Sequence, residues 1–517
     1  MLFNSPEFIF VFLPIVVAGF YLLRAWSFLA AFYWLLALSF VFYSWTVPWF
    51  LLVIIGSILF NYTLGVAIDA TPAPQRRWAT TALAIAANLL LLGYFKYAAF
   101  FSNNIWWLVG GADSDLAKLT LPLGISFFTF QSIAYLVDIY KGQRAEWQLQ
   151  KYALLIGFFP HSIAGPIVHP NEVLPQFNAQ QMKFRPTDLS VGLTFFAIGL
   201  FKKVVFADTA ALFATPVFHA FAVGKSVTFS EAWVGAIAYT MQIYFDFSAY
   251  SDMAIGFARI FGVRFPLNFF SPYKATSIID FWRRWHITLS RWLRDYLYIP
   301  LGGNRHGKVR RYTNLFVTML LGGLWHGANW TFVVWGGLHG IYLIVNHLWD
   351  AARSRHFPNA PSNAPTHLLA GTITFLSVVV AWVFFRAESF DAALSMLATM
   401  FGGAGIGLPA RFASGAFGYL EVFAPLRFDG AFTNGLFDAS KVYWLVVMLA
   451  VVWLLPNSAE LTRRYRPVAD SEPFKCPRGG QLLLWRANQA WGVATAVILL
   501  VALLNIGKVS EFIYFNF

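Results

Sequence analysis

Charged residues are scarce in this sequence of 517 residues. They make up 12% of the chain, against the roughly 25% that is usual in soluble domains, while 58% of the residues are hydrophobic and 19% aromatic. A water-facing surface cannot be built from this composition, so the sequence predicts a membrane protein. Because the Lys and Arg residues punctuate apolar runs, the formal net charge of +13 does not indicate a nucleic-acid partner.

Cysteine is almost absent, since Cys476 is the only one in the chain. One thiol cannot form an internal disulfide, a cysteine cluster for zinc or the ligand set of an iron–sulfur centre. We expect Cys476, which lies in a polar loop, to have no functional role.

The first residues, MLFNSPEFIFVFLPIVVAGFYLL, lack a basic leader and a small-residue cleavage site. We therefore expect them to form a retained membrane span rather than a signal peptide. A convincing internal repeat and a long Gly/Ser linker are missing as well. The sequence predicts a single membrane domain over residues 1–517.

Several motifs of catalysis and nucleotide binding are also missing. His326 and His339 are 13 residues apart, without the carboxylate of an HExxH pattern, so we expect no metal site. Ser290 lies four residues after His286 and could face it on a helix, but without a G-x-S-x-G elbow covalent serine catalysis stays a minor alternative. The absence of a phosphate-binding Gly loop with its Lys gives ATP-driven transport no support.

Long apolar runs are what the sequence has in abundance. A helix needs about 20 mostly apolar residues to cross the hydrocarbon core, because lipid offers no partner for unpaired backbone groups. The candidate spans lie near residues 7–23, 28–46, 48–68, 78–98, 151–168, 188–206, 231–257, 312–322 continuing to 348, 367–386, 441–455 and 489–506. The sequence therefore predicts an all-α polytopic membrane protein with about eleven transmembrane helices.

One further segment, Leu119 to Val137, is apolar but interrupted by Pro122 and Gly124. It fits a re-entrant or broken helix, which is tolerated where protein buries the freed backbone. A kinked ordinary span fits equally well.

Basic loops indicate the orientation of the chain, because Lys and Arg in short loops mark the cytoplasmic side. This rule places the N-terminus outside. The loop residues concerned are Arg76, Arg77, Lys141, Arg144, Lys151, Arg463, Arg464 and Arg466.

Two carboxylates, Asp246 and Asp252, fall inside an apolar stretch. Burying an ionisable residue at membrane depth costs free energy, so each aspartate is a candidate for a functional role. A structural ion pair would also explain them, because a partner of opposite charge offsets much of that cost. The arginines that follow could supply that partner. They are Arg283, Arg284, Arg291 and Arg294.

These arginines belong to the block FWRRWHITLSRWLRDYLYIP, which is amphipathic if it is helical. One face carries arginines and the other carries Trp285, Leu289 and Trp292. We expect a helix at the cytoplasmic interface, with Trp at headgroup depth. It either anchors the chain on anionic lipid or forms a basic entrance for an acidic thioester donor, with Arg283, Arg284, Arg291 and Arg294 binding phosphate.

Two histidines lie in this polar region, His286 in the same block and His326 in LLGGLWHGANW. Each could be a satisfied core residue. His326, however, is flanked by glycines that permit close approach, with Asn329 at helical contact spacing. Transfer of an acyl group to a hydroxyl needs a base and a polar group for the oxyanion, which a His beside an Asn could supply.

The blocks FKYAAFF, LPLGISFFTFQSIAYLVDIY, FFPHSIAGPI, YFDFSAYSDMAIG, FWRRWHITLSRWLRDYLYIPLGGNR, NLFVTMLLGGLWHGANWTFVVWGGLHG and AWVFFRAESF occur in this order along the chain. Together they resemble the membrane-bound O-acyltransferase family, and more closely its bacterial branch of alginate O-acetyltransferase type. The resemblance runs from Met1 to the closing FIYFNF and is strongest between residues 93 and 339. The loop-like stretch 402–440 matches no feature of the family.

The resemblance implies a helical bundle with re-entrant or interfacial helices around a central funnel. It implies that His326 is the essential histidine and that His286 supports it. It also implies an acetyl donor in the cytoplasm, acetyl-CoA or the phosphopantetheine thioester of an acyl carrier protein, with no bound cofactor.

For the acceptor side, the resemblance implies O-acetylation of an exported polysaccharide such as alginate or cellulose. The acetyl group would pass through periplasmic acetyltransferase- or esterase-like partner proteins, and the chain would lie in the bacterial inner membrane. The alternatives are a transporter of acyl groups or glycan, or a scaffold of a secretion complex, without chemistry of its own.

Overall fold

The structure of the chain is a computed structural model that describes residues 1–108, 120–356, 358, 363–407, 426–427, 432, 434–469, 484–507 and 512–513. Cys476 lies outside the described residues, and so does most of the loop-like stretch within 402–440. The expectations about both stay predictions.

The first half of the chain is helical. It forms α1 (Leu13–Trp26), α2 (Phe28–Ser44), α3 (Phe50–Ala70), α4 (Pro74–Leu92), α5 (Ala98–Leu108), α6 (Ile125–Tyr140), α7 (Leu149–Gly157), α8 (Pro170–Val173), α9 (Pro186–Phe201), α10 (Asp208–Ala222) and α11 (Phe229–Ile260).

The second half is mostly helical as well where the structure describes it. It forms α12 (Ile278–Arg284), α13 (Ile287–Leu293), α14 (Gly307–His326), α15 (Trp330–His356), α16 (Ala364–Arg386), α17 (Phe390–Met400), α18 (Tyr443–Leu454), α19 (Ser458–Thr462) and α20 (Gln489–Leu504). Two short strands, β1 (Ile406–Gly407) and β2 (Leu426–Arg427), pair in parallel. The predicted all-α membrane fold is confirmed, and within the part of the chain that the structure describes this small strand pair is the exception.

Wide helical turns join several of these helices. π-Helical segments at Phe8–Phe12, Gly93–Tyr97 and Lys202–Ala207 make continuous helices with their neighbours, which run over Phe8–Trp26, Pro74–Ile105 and Pro186–Ala222. A fourth π-helical segment, Arg294–Tyr298, follows α13. The predicted span 188–206 is therefore too short at its C-terminal end, because the helix continues through α10 to Ala222.

Six described helices are long and apolar enough to cross a membrane, or seven if the bent pair Ala439–Leu454 and Ser458–Tyr465 forms one span. The predicted number of about eleven is not confirmed. Several apolar runs form helices that are shorter than a full span, and these are Phe28–Ser44, Ile125–Tyr140, Phe390–Met400 and Gln489–Leu504.

The predicted span 151–168 is wrong. Helix α7 ends at Gly157, and the residues from Phe158 to His169 form turns and extended chain that is buried in the protein. Pro160 and Pro166 lie in this stretch, and proline cannot donate the hydrogen bond that a continuing helix requires.

The interrupted segment 119–137 is a broken helix, because α6 begins only at Ile125. Gly124 precedes it with φ of 68°, a left-handed conformation that suits glycine. A side chain there would strike the carbonyl oxygen of Ser162. The carbonyl of Leu123 accepts a hydrogen bond of 2.7 Å from the Tyr43 hydroxyl, so protein satisfies backbone that lipid could not.

Helix α11 has 32 residues and packs against α9, α10 and α16. It begins at a capping box, in which the Thr228 hydroxyl accepts from the Glu231 N–H and the Glu231 carboxylate accepts from the Thr228 N–H. Its two halves contribute to two apolar cores. The first core contains Tyr250 and Trp325, and the second contains Tyr244 and Trp335.

The partners predicted for the buried aspartates are wrong. Asp246 pairs with Lys203 at 2.6 Å, and Asp252 pairs with Lys202 at 2.6 Å. Both lysines lie on the π-helical segment that packs against α11, at the depth of the carboxylates. Arg284, Arg291 and Arg294 instead contact carboxylates nearer to them.

The tail of the chain reaches the Asp246 pair. The Ile513 N–H donates a 2.8 Å hydrogen bond to Asp246, and the Phe512 ring lies 4.8 Å from Lys203 Nζ. Asp208 adds a second carboxylate at 3.1 Å from Lys203. The buried charges are thus balanced by one another and by backbone.

Removing the cation from this cluster should destabilise the protein. We expect Lys203→Met to lower the stability by about 3–5 kcal/mol, because it leaves a buried carboxylate without its counter-ion. The double variant Lys203→Met/Asp246→Leu should recover part of the loss. Thermal unfolding in detergent measures both, and Asp438→Asn, in an exposed ion pair with Lys441, is the matched control that should not change the melting temperature. Equal effects of the core and control variants would contradict this assignment.

Candidate active site

The helix that carries His326 ends at that residue. Gly327 is the C-cap of α14 with extended backbone, and α15 begins at Trp330. The predicted continuous span over 312–348 is therefore broken at the histidine. A helix end at such depth leaves carbonyl groups that require partners from elsewhere in the protein.

The helical spacing that was predicted to bring Asn329 next to His326 does not occur, because α14 ends at His326, before Asn329. Its Oδ1 accepts a 3.0 Å hydrogen bond from the Thr331 N–H at the start of α15. The side chain thus stabilises the first turn of α15 as an N-terminal cap.

The His326 ring is buried among aromatic side chains, with 3% of the residue exposed. Trp335 and Phe385 meet it edge to face, with centroids at 5.1 and 5.2 Å, and Trp325 does so at 4.9 Å. Trp325 belongs to the first apolar core, whereas Trp335 and Phe385 belong to the second. The ring therefore lies where the two cores meet.

His286 is brought to the same place. Its ring centroid lies 6.3 Å from that of His326, and the residue is fully buried. The predicted helix over FWRRWHITLSRWLRDYLYIP is interrupted here, since α12 ends at Arg284 and α13 begins at Ile287. His286 itself has φ of 43°, a strained conformation for a residue other than glycine. The break turns its ring toward His326.

Asn268 orients the His286 ring. Its Oδ1 lies 3.1 Å from His286 Nδ1 and accepts from the Thr288 hydroxyl at 2.9 Å, while its Nδ2 donates to Ser251 at 3.0 Å. With Oδ1 acting as acceptor, Nδ1 of the histidine is the protonated nitrogen. The lone pair then belongs to Nε2, which is the tautomer that a proton acceptor requires.

The glycines around His326 serve helix packing. A Cβ atom on Gly323 would lie 2.3 Å from the Phe332 carbonyl oxygen and 3.0 Å from Gly336 Cα. Gly336 in turn faces the Met319 carbonyl oxygen, so α14 and α15 approach backbone to backbone. This close contact fixes the two helices on either side of the break.

Lys96 and Tyr97 satisfy the last carbonyls of α14. Lys96 Nζ lies 2.6 Å from the carbonyl oxygen of Trp325 and 3.2 Å from that of His326, and the Tyr97 hydroxyl donates to the Leu324 carbonyl at 2.9 Å. Both residues belong to the π-helical segment Gly93–Tyr97. Neither residue was predicted from the sequence, although a lysine inside the apolar run LLLLGYFKYAAFF is the signal that marks a functional candidate.

The predicted donor-binding arginines do not converge on one site. Arg291 pairs with Glu172 at 2.6 Å and Arg284 with Asp280 at 2.9 Å, while Arg283 is exposed. Arg294 pairs with Asp295 at 2.7 Å and also lines a cavity.

The aromatic face of this block is not at headgroup depth as predicted. Trp285 is 1% exposed, and the Trp292 ring stacks on Phe130 with centroids 3.7 Å apart. The Trp292 Nε1–H donates to the Phe130 carbonyl at 2.9 Å. These rings join α12 and α13 to the protein interior, because burying them removes more apolar surface from water than an interfacial position would.

A cavity of about 240 Å³ lies between α13, α14 and α15. Arg294, Arg311 and His347 line it, together with the apolar side chains of Met319 and Leu343. Arg311 Nη2 lies 3.1 Å from His347 Nδ1, a contact that the sequence did not predict.

Trp282 connects this cavity with the histidines. It lines the cavity, and its Nε1–H donates to His339 Nδ1 at 3.2 Å. The His339 ring lies 4.9 Å from Trp335, which contacts His326. Contacts from Trp282 to His339 and from His339 to Trp335 thus link the cavity wall to His326.

The fold and this pocket define a polytopic helical membrane protein with paired buried histidines. A sequence model of the membrane-bound O-acyltransferase family matches residues 75–384. The chain is 39% identical to the peptidoglycan O-acetyltransferase of Helicobacter pylori, over 100% of this chain and 98% of that protein.

It is 44% identical to the probable alginate O-acetylase of Pseudomonas aeruginosa, over 78% of this chain and 75% of that protein. It is also 28% identical to the teichoic acid D-alanyltransferase of Streptococcus thermophilus, over 51% of this chain and 68% of that protein. The chain belongs to the membrane-bound O-acyltransferase family and is a multi-pass membrane O-acyltransferase.

Lys96 should act as a positioning residue for His326. We expect Lys96→Met to lower kcat at least about tenfold with little change in KM, because it removes two charge-assisted hydrogen bonds, each worth roughly 1.5–3 kcal/mol, that hold the end of α14. Lys96→Arg should restore part of the rate. Acetyl transfer by purified protein measures this, with Lys308→Met in the exposed first turn of α14 as the control. A change in KM alone, or the same loss in the control, would contradict the assignment.

Proposed function

We propose that this O-acyltransferase transfers acetyl groups from a cytoplasmic thioester to a hydroxyl of an exported or cell-envelope glycan. His326 is the general base in this proposal, and His286 assists it. The observation that carries the proposal is the burial of both rings, with centroids 6.3 Å apart, at the junction of the two apolar cores.

The chemistry follows from these two rings. His326 takes the proton of the acceptor hydroxyl as its oxygen attacks the thioester carbonyl carbon. The carbon–sulfur bond then breaks and the ester forms. The protonated histidine gives its proton to the leaving sulfur, which departs as the free thiol. His286, held by Asn268 with its lone pair on Nε2, helps to orient the hydroxyl or to accept its proton. Aromatic walls exclude water and so protect the thioester from hydrolysis.

The donor side of the proposal rests on the basic end of the bundle. Two of the predicted cytoplasmic loops lie together there, since the Ala145 N–H donates to Asp69 at 3.2 Å and Arg77 donates to the Ile139 carbonyl. Lys141 Nζ lies 3.5 Å from the carbonyl oxygen of Asp295, beside the π-helical segment Arg294–Tyr298. The 240 Å³ cavity therefore opens near this end.

This position suits the phosphopantetheine arm shared by acetyl-CoA and acyl carrier protein. Arg294 and Arg311 would bind its phosphate, and Met319 and Leu343 would contact the arm on its way to the histidines. Arg284 and Arg291 have ion pairs away from the cavity, and Arg283 does not line it, so the donor site as proposed does not need these three residues.

On the acceptor side we propose an inner-membrane location and transfer toward the periplasm. Helix α14 has 20 residues, or about 30 Å, between its basic start and His326, and this length supports a ring that lies away from the proposed donor side. A periplasmic acetyltransferase- or esterase-like partner would receive the acetyl group or hold the glycan there.

The names of the relatives suggest two possible acceptors for this chain, alginate and peptidoglycan. The Pseudomonas relative is named for alginate and the Helicobacter relative for peptidoglycan. The match to the Helicobacter relative covers the whole of this chain, which favours a peptidoglycan acceptor. The match to the Pseudomonas relative has the higher identity, 44% against 39%, which favours an alginate-like polymer. Sugar analysis of the peptidoglycan and of the secreted polymer from a deletion strain separates them.

A transporter or scaffold without chemistry is the competing function. In that case purified protein with a labelled acetyl donor and a glycan acceptor transfers no label, and neither histidine matters. The tight aromatic packing around both rings favours the enzyme, because a scaffold has no need of paired imidazoles in a dry pocket.

His326→Ala should abolish acetyl transfer. We expect a loss of at least about 100-fold, because general-base catalysis contributes roughly 10²–10⁴ to the rate. His286→Ala should cause a smaller loss. The measurement is O-acetyl content of the glycan together with in vitro transfer.

His356→Ala, in the exposed last turn of α15, is the matched control and should retain full activity. Size-exclusion profiles verify that each variant folds. Wild-type acetylation by a folded His326→Ala protein would refute the catalytic assignment.

Filling the 240 Å³ cavity should impair donor binding. Thr318 lines it, so we expect Thr318→Trp to raise the KM for the acetyl donor about tenfold while kcat at saturation falls less. Thr313→Trp, on the exposed side of the same helix, is the control. Initial rates over a series of acetyl-CoA concentrations measure the effect. An unchanged KM in Thr318→Trp would place the donor elsewhere.

A further inference from the structure

A large cavity lies apart from the histidines. It measures about 790 Å³ and lies between α15 and α16, with the residues that begin α12 at its base. The small helix α12 separates it from the 240 Å³ cavity, since Ile278 lines the larger cavity and Trp282 the smaller. It therefore needs an occupant other than the donor.

Most of the exposed wall of this cavity is apolar, and its apolar side chains lie on the outer surface of the bundle. Val345 and Trp349 on α15 are 56% and 61% exposed, and Leu369 and Ile373 on α16 are 62% and 58% exposed. Both helices are long and apolar enough to span a membrane. In a bilayer, lipid hydrocarbon fills an exposed groove between two spans, because it gains contacts with apolar side chains that water does not make.

One end of the groove is polar and carries positive charge. Arg353 on α15 and His367 on α16 line it, and so does Thr366, the neighbour of His367. Asp350 also lines it, but its carboxylate accepts a 3.2 Å hydrogen bond from Asn346 Nδ2. Among the described residues Arg353 has no ion-pair partner, so its guanidinium is available to an anion.

This polar end lies at the basic face of the bundle. Arg311 on α14 contacts His347 on α15, one turn before Asp350, and Arg355 and His356 end the same helix. Basic pockets between transmembrane helices on the cytoplasmic side are typical binding sites for anionic lipid headgroups. A ligand with an anionic head and long apolar chains matches both parts of the groove.

We propose that this groove binds one anionic glycerophospholipid of the inner leaflet. Its phosphate would contact Arg353 and His367, and an acyl chain would lie between α15 and α16 along Ile373. Asn346 links the site to the rest of the protein, because its Oδ1 accepts a 3.2 Å hydrogen bond from the Ile279 N–H of α12. The bound lipid would thus support the short helix that also borders the donor cavity.

Native mass spectrometry of the purified full-length protein tests this site, with phosphatidylglycerol and phosphatidylcholine as probes. We expect tighter binding of phosphatidylglycerol, and a loss of about fivefold in Arg353→Gln, the factor that one cation near a headgroup contributes. Arg355→Gln, two residues away and outside the groove, should bind as the wild type does.

A second pair of variants tests the chain-binding part. Ile373→Trp should reduce binding of both lipids, whereas Leu376→Trp, exposed on the same helix but outside the groove, should not. Equal binding of the two lipids, equal losses in Arg353→Gln and Arg355→Gln, or equal losses in the two tryptophan variants would overturn the proposal. So would displacement of phosphatidylglycerol by acetyl-CoA, which would assign the groove to the donor.

Discussion

The architecture depends on one constraint, that backbone groups within a bilayer must find partners in the protein. Helix α14 stops inside the bundle, and its final carbonyls would be left without hydrogen bonds in lipid. Lys96 and Tyr97 supply those bonds from a neighbouring helix. The cation also opposes the negative end of the helix dipole. The position of His326 follows from this solution, because the histidine is the last residue of the helix that these side chains hold.

The same constraint explains the rest of the pocket. His286 lies at a second break, and the neighbouring backbone is again satisfied, here by Asn268, whose carbonyl accepts a 2.9 Å hydrogen bond from the Ile287 N–H. Two interrupted helices therefore meet with their ring-bearing residues facing one another. Aromatic side chains from both apolar cores enclose the two rings. The site therefore excludes water, although it contains polar groups.

Much of this could be predicted from the sequence, and the exceptions have physical reasons. Composition and apolar runs predicted a polytopic helical protein, and the GLWHG block identified His326. Hydropathy does not detect breaks, however, so the run through 151–168 was mistaken for a span and α14 was joined to α15. The partners of Asp246 and Asp252 were also missed, because Lys202 and Lys203 are close in space and distant in the sequence.

The π-helical segment that carries Lys96 has a consequence for how this chain tolerates length changes. Such a turn holds one residue more than a regular α-turn, and each residue advances a helix by about 100°. Deleting a single residue before Lys96 within Gly93–Tyr97 would close this wide turn to an ordinary α-turn, so the helix after it would keep nearly its orientation while the residues inside the turn would change theirs. The lysine would then point away from the carbonyls of α14, even though no chemical group had been changed. The phase of this helix is therefore as much a determinant of the pocket as the identity of its residues.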